Sequence, residues 1–100
     1  MTLASAYAHA LARTTVTADG CWLWQGATCS KGYGHVKLGG RNVLLHRLAV
    51  IVRDGRIPSR LTVDHRCHDA AVCPGGRSCP HRRCVNPSHL AVVTRGANVR

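Results

Sequence analysis

Acidic residues are scarce: Asp and Glu total four against fourteen Lys and Arg, a formal net charge of +10 and a pI near 10.4. That imbalance points to a polyanionic partner, nucleic acid before membrane, because no basic amphipathic helix of useful length is visible. Twelve of the fourteen basic residues are Arg, the side chain suited to forked contacts with phosphate. Phenylalanine is absent and Trp and Tyr number two each, so the large apolar residues are mostly Leu and Val. A single domain of 100 residues with so modest a core has a thin stability margin, and six cysteines are the obvious supplement. No apolar run approaches the about 20 residues needed to cross a bilayer. The first dozen residues lack the basic start and unbroken apolar stretch of a signal peptide, so a cytoplasmic protein is expected. In that reducing setting, cysteines mixed with histidines favour metal over disulfides.

The chain alternates short helices and short strands, predicting an α+β domain. Residues 2–13 are Ala-rich with Thr2 as a cap, predicting a helix. Cys21 to Trp24 reads as a strand after the Asp19-Gly20 turn, with Trp22, Trp24 and Cys21 as core residues. Residues 35–38 and 41–45 flank Gly39-Gly40, the signature of a hairpin. Residues 46–53 predict a short helix opened by a packing or capping His46, and 61–65 a strand ending on Asp64-His65. Residues 66–84 fit no helical or strand period, and Asn86-Pro87-Ser88 predicts the start of a helix over 89–99.

Two constellations carry chemistry. Asp64 and His65 sit side by side at a strand end and point to opposite faces, so a carboxylate could hold a hard cation while an imidazole takes a proton from water. Asn86 and His89, one turn apart, could face the same space. Between them, Cys67, Cys73, Cys79 and Cys84 converge in a segment with no other reason to be ordered. They are expected to hold structural zinc, with His81 the substitute ligand; free thiols or disulfides are the alternatives. Cys29, like Cys21, reads as a small buried apolar residue, with completion of a second metal site as the alternative for either.

The runs LTVDHRC and CVNPSHLAVVT, preceded in order by CWLWQGA, GYG and HRLA, resemble HNH homing-type endonucleases of phages and actinobacteria, within the ββα-metal or His-Me finger superfamily. The resemblance covers about residues 20–100, leaving 1–19 as an N-terminal helical extension. It implies a ββα-metal finger with a zinc-stabilised loop, His65 as general base, Asn86 positioning the base or the loop, and Asp64 with His89 holding Mg2+ or Mn2+. The implied reaction is hydrolysis of DNA, by nicking or double-strand cleavage. Arg47, Arg53, Arg56 and Arg60, with Arg77, Arg82 and Arg83 on the cysteine segment, are expected to contact phosphates. A homodimer or a phage or host partner protein is compatible with so small a chain. The rival readings are a non-catalytic zinc-stabilised DNA-binding module and an RNase on the same finger.

Overall fold

The computed structural model describes residues 2–68 and 79–94. Helix α1 (Leu3–Leu11) is capped by Thr2, whose hydroxyl accepts a 3.0 Å hydrogen bond from the Ser5 amide. Its inward face, Ala6, Tyr7 and Ala10, is buried against α2 (Leu45–Asp54). The small residues on α1 permit that close approach, and the apolar positions Leu45, Leu48, Ala49 and Val50 of α2 are fully buried. Helix α2 ends at Gly55, whose φ of 92° is open to glycine at little cost.

Three antiparallel hairpins surround the two helices among the described residues. Strand β1 (Thr14–Val16) pairs with β2 (Trp22–Trp24), with Val16 opposite Trp22. Strand β3 (His35–Leu38) pairs with β4 (Arg41–Leu44) through Gly39 and Gly40, both at positive φ, as a two-residue hairpin turn requires. The Trp24 ring lies so close over Gly34 that an added Cβ would sit 2.6 Å from its Cδ1, so only glycine fits there.

The third hairpin positions the chemistry. Strand β5 (Leu61–His65) pairs with β6 (Leu90–Thr94), with Asp64 opposite Ala91 and His65 opposite Leu90. This corrects the helix expected over 89–99. Pro87–His89 forms a single 3₁₀ turn, capped by the Asn86 side chain accepting from the Ser88 amide, and the chain then becomes a strand through Thr94. The β-branched run Val92-Val93-Thr94 and the waiting partner β5 outweigh the helix-entry signal of Asn86-Pro87. Residues 95–99 of that expected helix lie outside the described residues.

Both helices and strands β2 to β6 share one core, in which Val63, Val85 and Leu90 join the residues of α1 and α2. Tyr7 ties the N-terminal helix to the far end of the chain by donating a buried 2.7 Å hydrogen bond to the Val85 carbonyl, and burial pushes its phenol up to about 12. Tyr7→Phe strands that carbonyl and is expected to cost about 1–3 kcal/mol. The loss should appear as a lower urea midpoint at unchanged slope; an unchanged midpoint would show the bond to be idle.

Candidate functional site

The connection between β5 and β6 starts beside its own end, because the Arg66 amide donates to the His89 carbonyl at 2.7 Å. Chemistry-bearing side chains therefore gather at the mouth of this hairpin. On the inner face of β5, two residues on from buried Val63, the His65 ring packs against His46 with centroids 4.9 Å apart. Tyr33 stacks on both, at 4.7 Å from His46 and 5.9 Å from His65, and the Arg82 guanidinium covers Tyr33 at 4.9 Å. His46, at the start of α2, is thus a packing residue buried in a ring cluster. Burial, then the neighbouring His65 and Arg47, hold it down to about 3, so its ring is neutral.

His65 is fixed by a second contact. Its Nε2 lies 3.1 Å from the Cys84 carbonyl oxygen. A carbonyl can only accept, so Nε2 carries the proton and Nδ1 keeps the lone pair. Burial lowers the ring's pKa below the ordinary histidine value, although the neighbouring Cys84 and Asp64 pull the other way. Asp64 falls on the opposite face of β5, its carboxylate 3.5 Å from the Arg66 Nε and mostly shielded from solvent.

Behind this pair lies a compact donor group: Cys21, Cys67, Cys84 and His89, with ligand atoms all within 4.8 Å of one another. His89 Nδ1 stands 3.5 Å from the Cys21 sulfur and 3.6 Å from that of Cys84. A tetrahedral zinc with Zn–S about 2.3 Å and Zn–N about 2.0 Å has S···N edges of about 3.5 Å, so the spacing suits that ion. Such a group could hold a metal ion such as zinc. The electrostatics agree. Hydrogen bonding from Cys67 holds Cys84 down to about 4, the same bond and burial push Cys67 far up, and burial pushes Cys21 up to about 11. Without a cation the group supports one thiolate; a divalent ion would let all three sulfurs ionise.

This arrangement redraws the expected ligand sets. Cys67 and Cys84 do share a group, but its other members are Cys21 and His89. Cys79 instead faces the imidazoles of His68 and His81, and Cys73 lies outside the described residues. The expected set of four cysteines followed their proximity in sequence. The bridge of Leu23 to Cys84, reinforced by the Val85 amide donating to the Trp22 carbonyl, brings Cys21 in from the first hairpin. Cys21 is buried as expected, yet as a candidate ligand, and the signal that could have found it was a third thiol needed beside Cys67, Cys84 and His89. His89 thus stands with thiols, and Asp64, expected beside it as a ligand of a hard cation, joins no group of three or more candidate ligands among the described residues. Cys29 is partly buried and stands apart from both groups.

Asn86 acts on the backbone. Its Nδ2 donates to the Gly20 carbonyl at 2.8 Å, and its Oδ1 accepts from the Ser88 amide and hydroxyl, which locks the turn carrying His89 against the Cys21 loop. Among the arginines, Arg56 and Arg60 are exposed on the loop before β5, and Arg47 and Arg83 are partly buried. Two others are already engaged. Arg53 Nη1 donates to the Pro87 and Leu90 carbonyls at 2.7 and 2.8 Å, and its Nη2 pairs with Asp54 at 2.7 Å. Arg82 donates to the Lys31 carbonyl at 2.6 Å while covering Tyr33. Both fasten the fold around the site. Arg77 lies outside the described residues. No helix among the described residues is long and apolar enough to cross a membrane.

The chain is 38% identical over 90 residues to Protein 2.8 of Escherichia phage T7, an alignment that covers 88% of this chain and 52% of the phage protein. The chain thus spans about half the length of that relative. No family model matches the sequence, and no solved structure matches it.

Proposed function

We propose that the protein is a metal-dependent endonuclease of the HNH type that hydrolyses DNA phosphodiester bonds. The observation that carries this reading is the fixed, neutral His65 ring. Its Nε2 is anchored on the Cys84 carbonyl, its face is held by His46, and Nδ1 is left to receive a proton from an attacking water. Asp64 on the opposite face of the same strand is the carboxylate that would hold Mg2+ or Mn2+, hard ions that prefer oxygen donors. Such an ion, when bound, offsets the charge that develops on the phosphate oxygens. Asn86 holds the loop, and the group of Cys21, Cys67, Cys84 and His89 would hold structural zinc, a softer site suited to thiolates.

The net charge of +10 and the exposed Arg56 and Arg60, with Arg47 and Arg83, supply the attraction to a phosphate backbone. A supercoiled plasmid tests the reading. Nicking that requires added Mg2+ or Mn2+ and outpaces cleavage of duplex RNA is the expected outcome. Salt-sensitive DNA binding with no metal-dependent nicking would instead make the protein a zinc-stabilised DNA-binding module, and preferential RNA cleavage would make it an RNase.

A further inference from the structure

We infer that His68, Cys79 and His81 bind a second zinc ion, distinct from one held by Cys21, Cys67, Cys84 and His89. The Cys79 sulfur lies 3.5 Å from His68 Nδ1 and 3.3 Å from His81 Nδ1, and all three ligand atoms lie within 4.8 Å of one another. These are again the S···N edges of about 3.5 Å that a tetrahedral zinc imposes. The two rings meet edge to face at 5.5 Å, which turns both Nδ1 atoms toward the one sulfur. Cys79 is only 5% exposed, a setting in which a thiolate is costly unless a cation sits beside it.

The backbone presents these donors as a unit. Pro80 directly follows Cys79 and opens a 3₁₀ turn, Pro80–Arg83, that swings His81 back over the sulfur. His68 comes from the other side, just beyond β5, where its amide donates to the His65 carbonyl. The ion would therefore clasp the chain on either side of residues 69–78 and relieve the entropy of closing that segment. Three donors among the described residues leave one position of the tetrahedron for a further ligand. His81 also comes near Cys21 and Asp19, so its imidazole could belong to the first group instead. A hydrogen-bonded thiol between two imidazoles is the metal-free alternative.

Counting zinc separates these arrangements without reference to nuclease activity. The protein is dialysed against buffer after purification with zinc present, and its metal content is measured by elemental analysis and native mass spectrometry. Two zinc ions per chain are expected, falling to one in both His68→Ala and Cys79→Ser. X-ray absorption on the wild-type protein should give an average of two sulfurs per zinc, between the three thiols of one group and the single thiol of the other. The absorption measurement stands even if a variant fails to fold. One zinc per chain with about three sulfurs around it, unchanged in His68→Ala, would overturn the second site.

Discussion

His65→Ala is expected to lower the single-turnover nicking rate by about 100- to 10,000-fold while leaving DNA affinity near the wild-type value, the usual range for losing a general base. Affinity is spared because the ring is largely covered by His46, Tyr33 and the Cys84 carbonyl and meets the phosphate only through a water. The same geometry sets the pH dependence. Burial lowers the His65 pKa in the folded protein, so the base stays neutral below the ordinary value of about 6.5. Activity should therefore hold as the pH falls through that value and decline only at lower pH, as the ring gains its proton. A cleavage profile with its acidic limb at or above about 6.5, or a variant as fast as wild type, would remove His65 from the reaction. Asp64→Asn should also abolish metal-dependent nicking yet keep binding, which distinguishes a reacting pair from a pair that merely shapes the surface.

The parts of the fold that were legible in the sequence are those in which a local pattern and a turn signal agree. Alternation over His35–Leu38, the Gly39-Gly40 turn and the apolar face of α2 needed no distant partner to be recognised. Strand β6 was not legible, because Leu90–Thr94 is short and its identity comes from pairing with β5 across the whole cysteine segment. Strand β1 leaves no signal in the sequence for the same reason, being three residues whose order comes from β2. The donor sets show the limit most clearly. Neighbourhood along the chain grouped Cys67 with Cys79, whereas the turn at Asn86 and the Leu23–Cys84 bridge group Cys67 with Cys21 and His89. His68 follows Cys67 directly in the chain, yet its ring turns to Cys79 while the Cys67 sulfur joins Cys21, Cys84 and His89. Arg53 illustrates a different gap: charge is visible in sequence, but the Pro87 and Leu90 carbonyls that absorb it are not.

Stripping zinc is expected to unfold the domain. Cys21, Cys67, Cys84 and His89 come from the first hairpin, the exit of β5 and the entrance to β6, so an ion among them ties together segments that otherwise meet over a small core. Structural zinc contributes about 10–16 kcal/mol of apparent binding free energy near neutral pH, against a total stability of about 5–15 kcal/mol for ordinary domains. A core without phenylalanine cannot make up such a loss. Treatment with a strong chelator should therefore collapse the far-ultraviolet circular dichroism and shift the emission of Trp22 and Trp24, and adding back zinc should restore both. Mg2+ should not substitute, because it does not favour thiolate donors. Cys84→Ser should behave like the stripped protein from the outset, since it removes one sulfur of the group and leaves a hydroxyl fully buried in its place. Should the stripped protein keep its native dichroism and its urea midpoint, the cluster would be a hydrogen-bonded set of thiols and the fold would rest on the apolar core alone. Reading structure in place of cleavage keeps this result separate from the loss of Mg2+ to the same chelator.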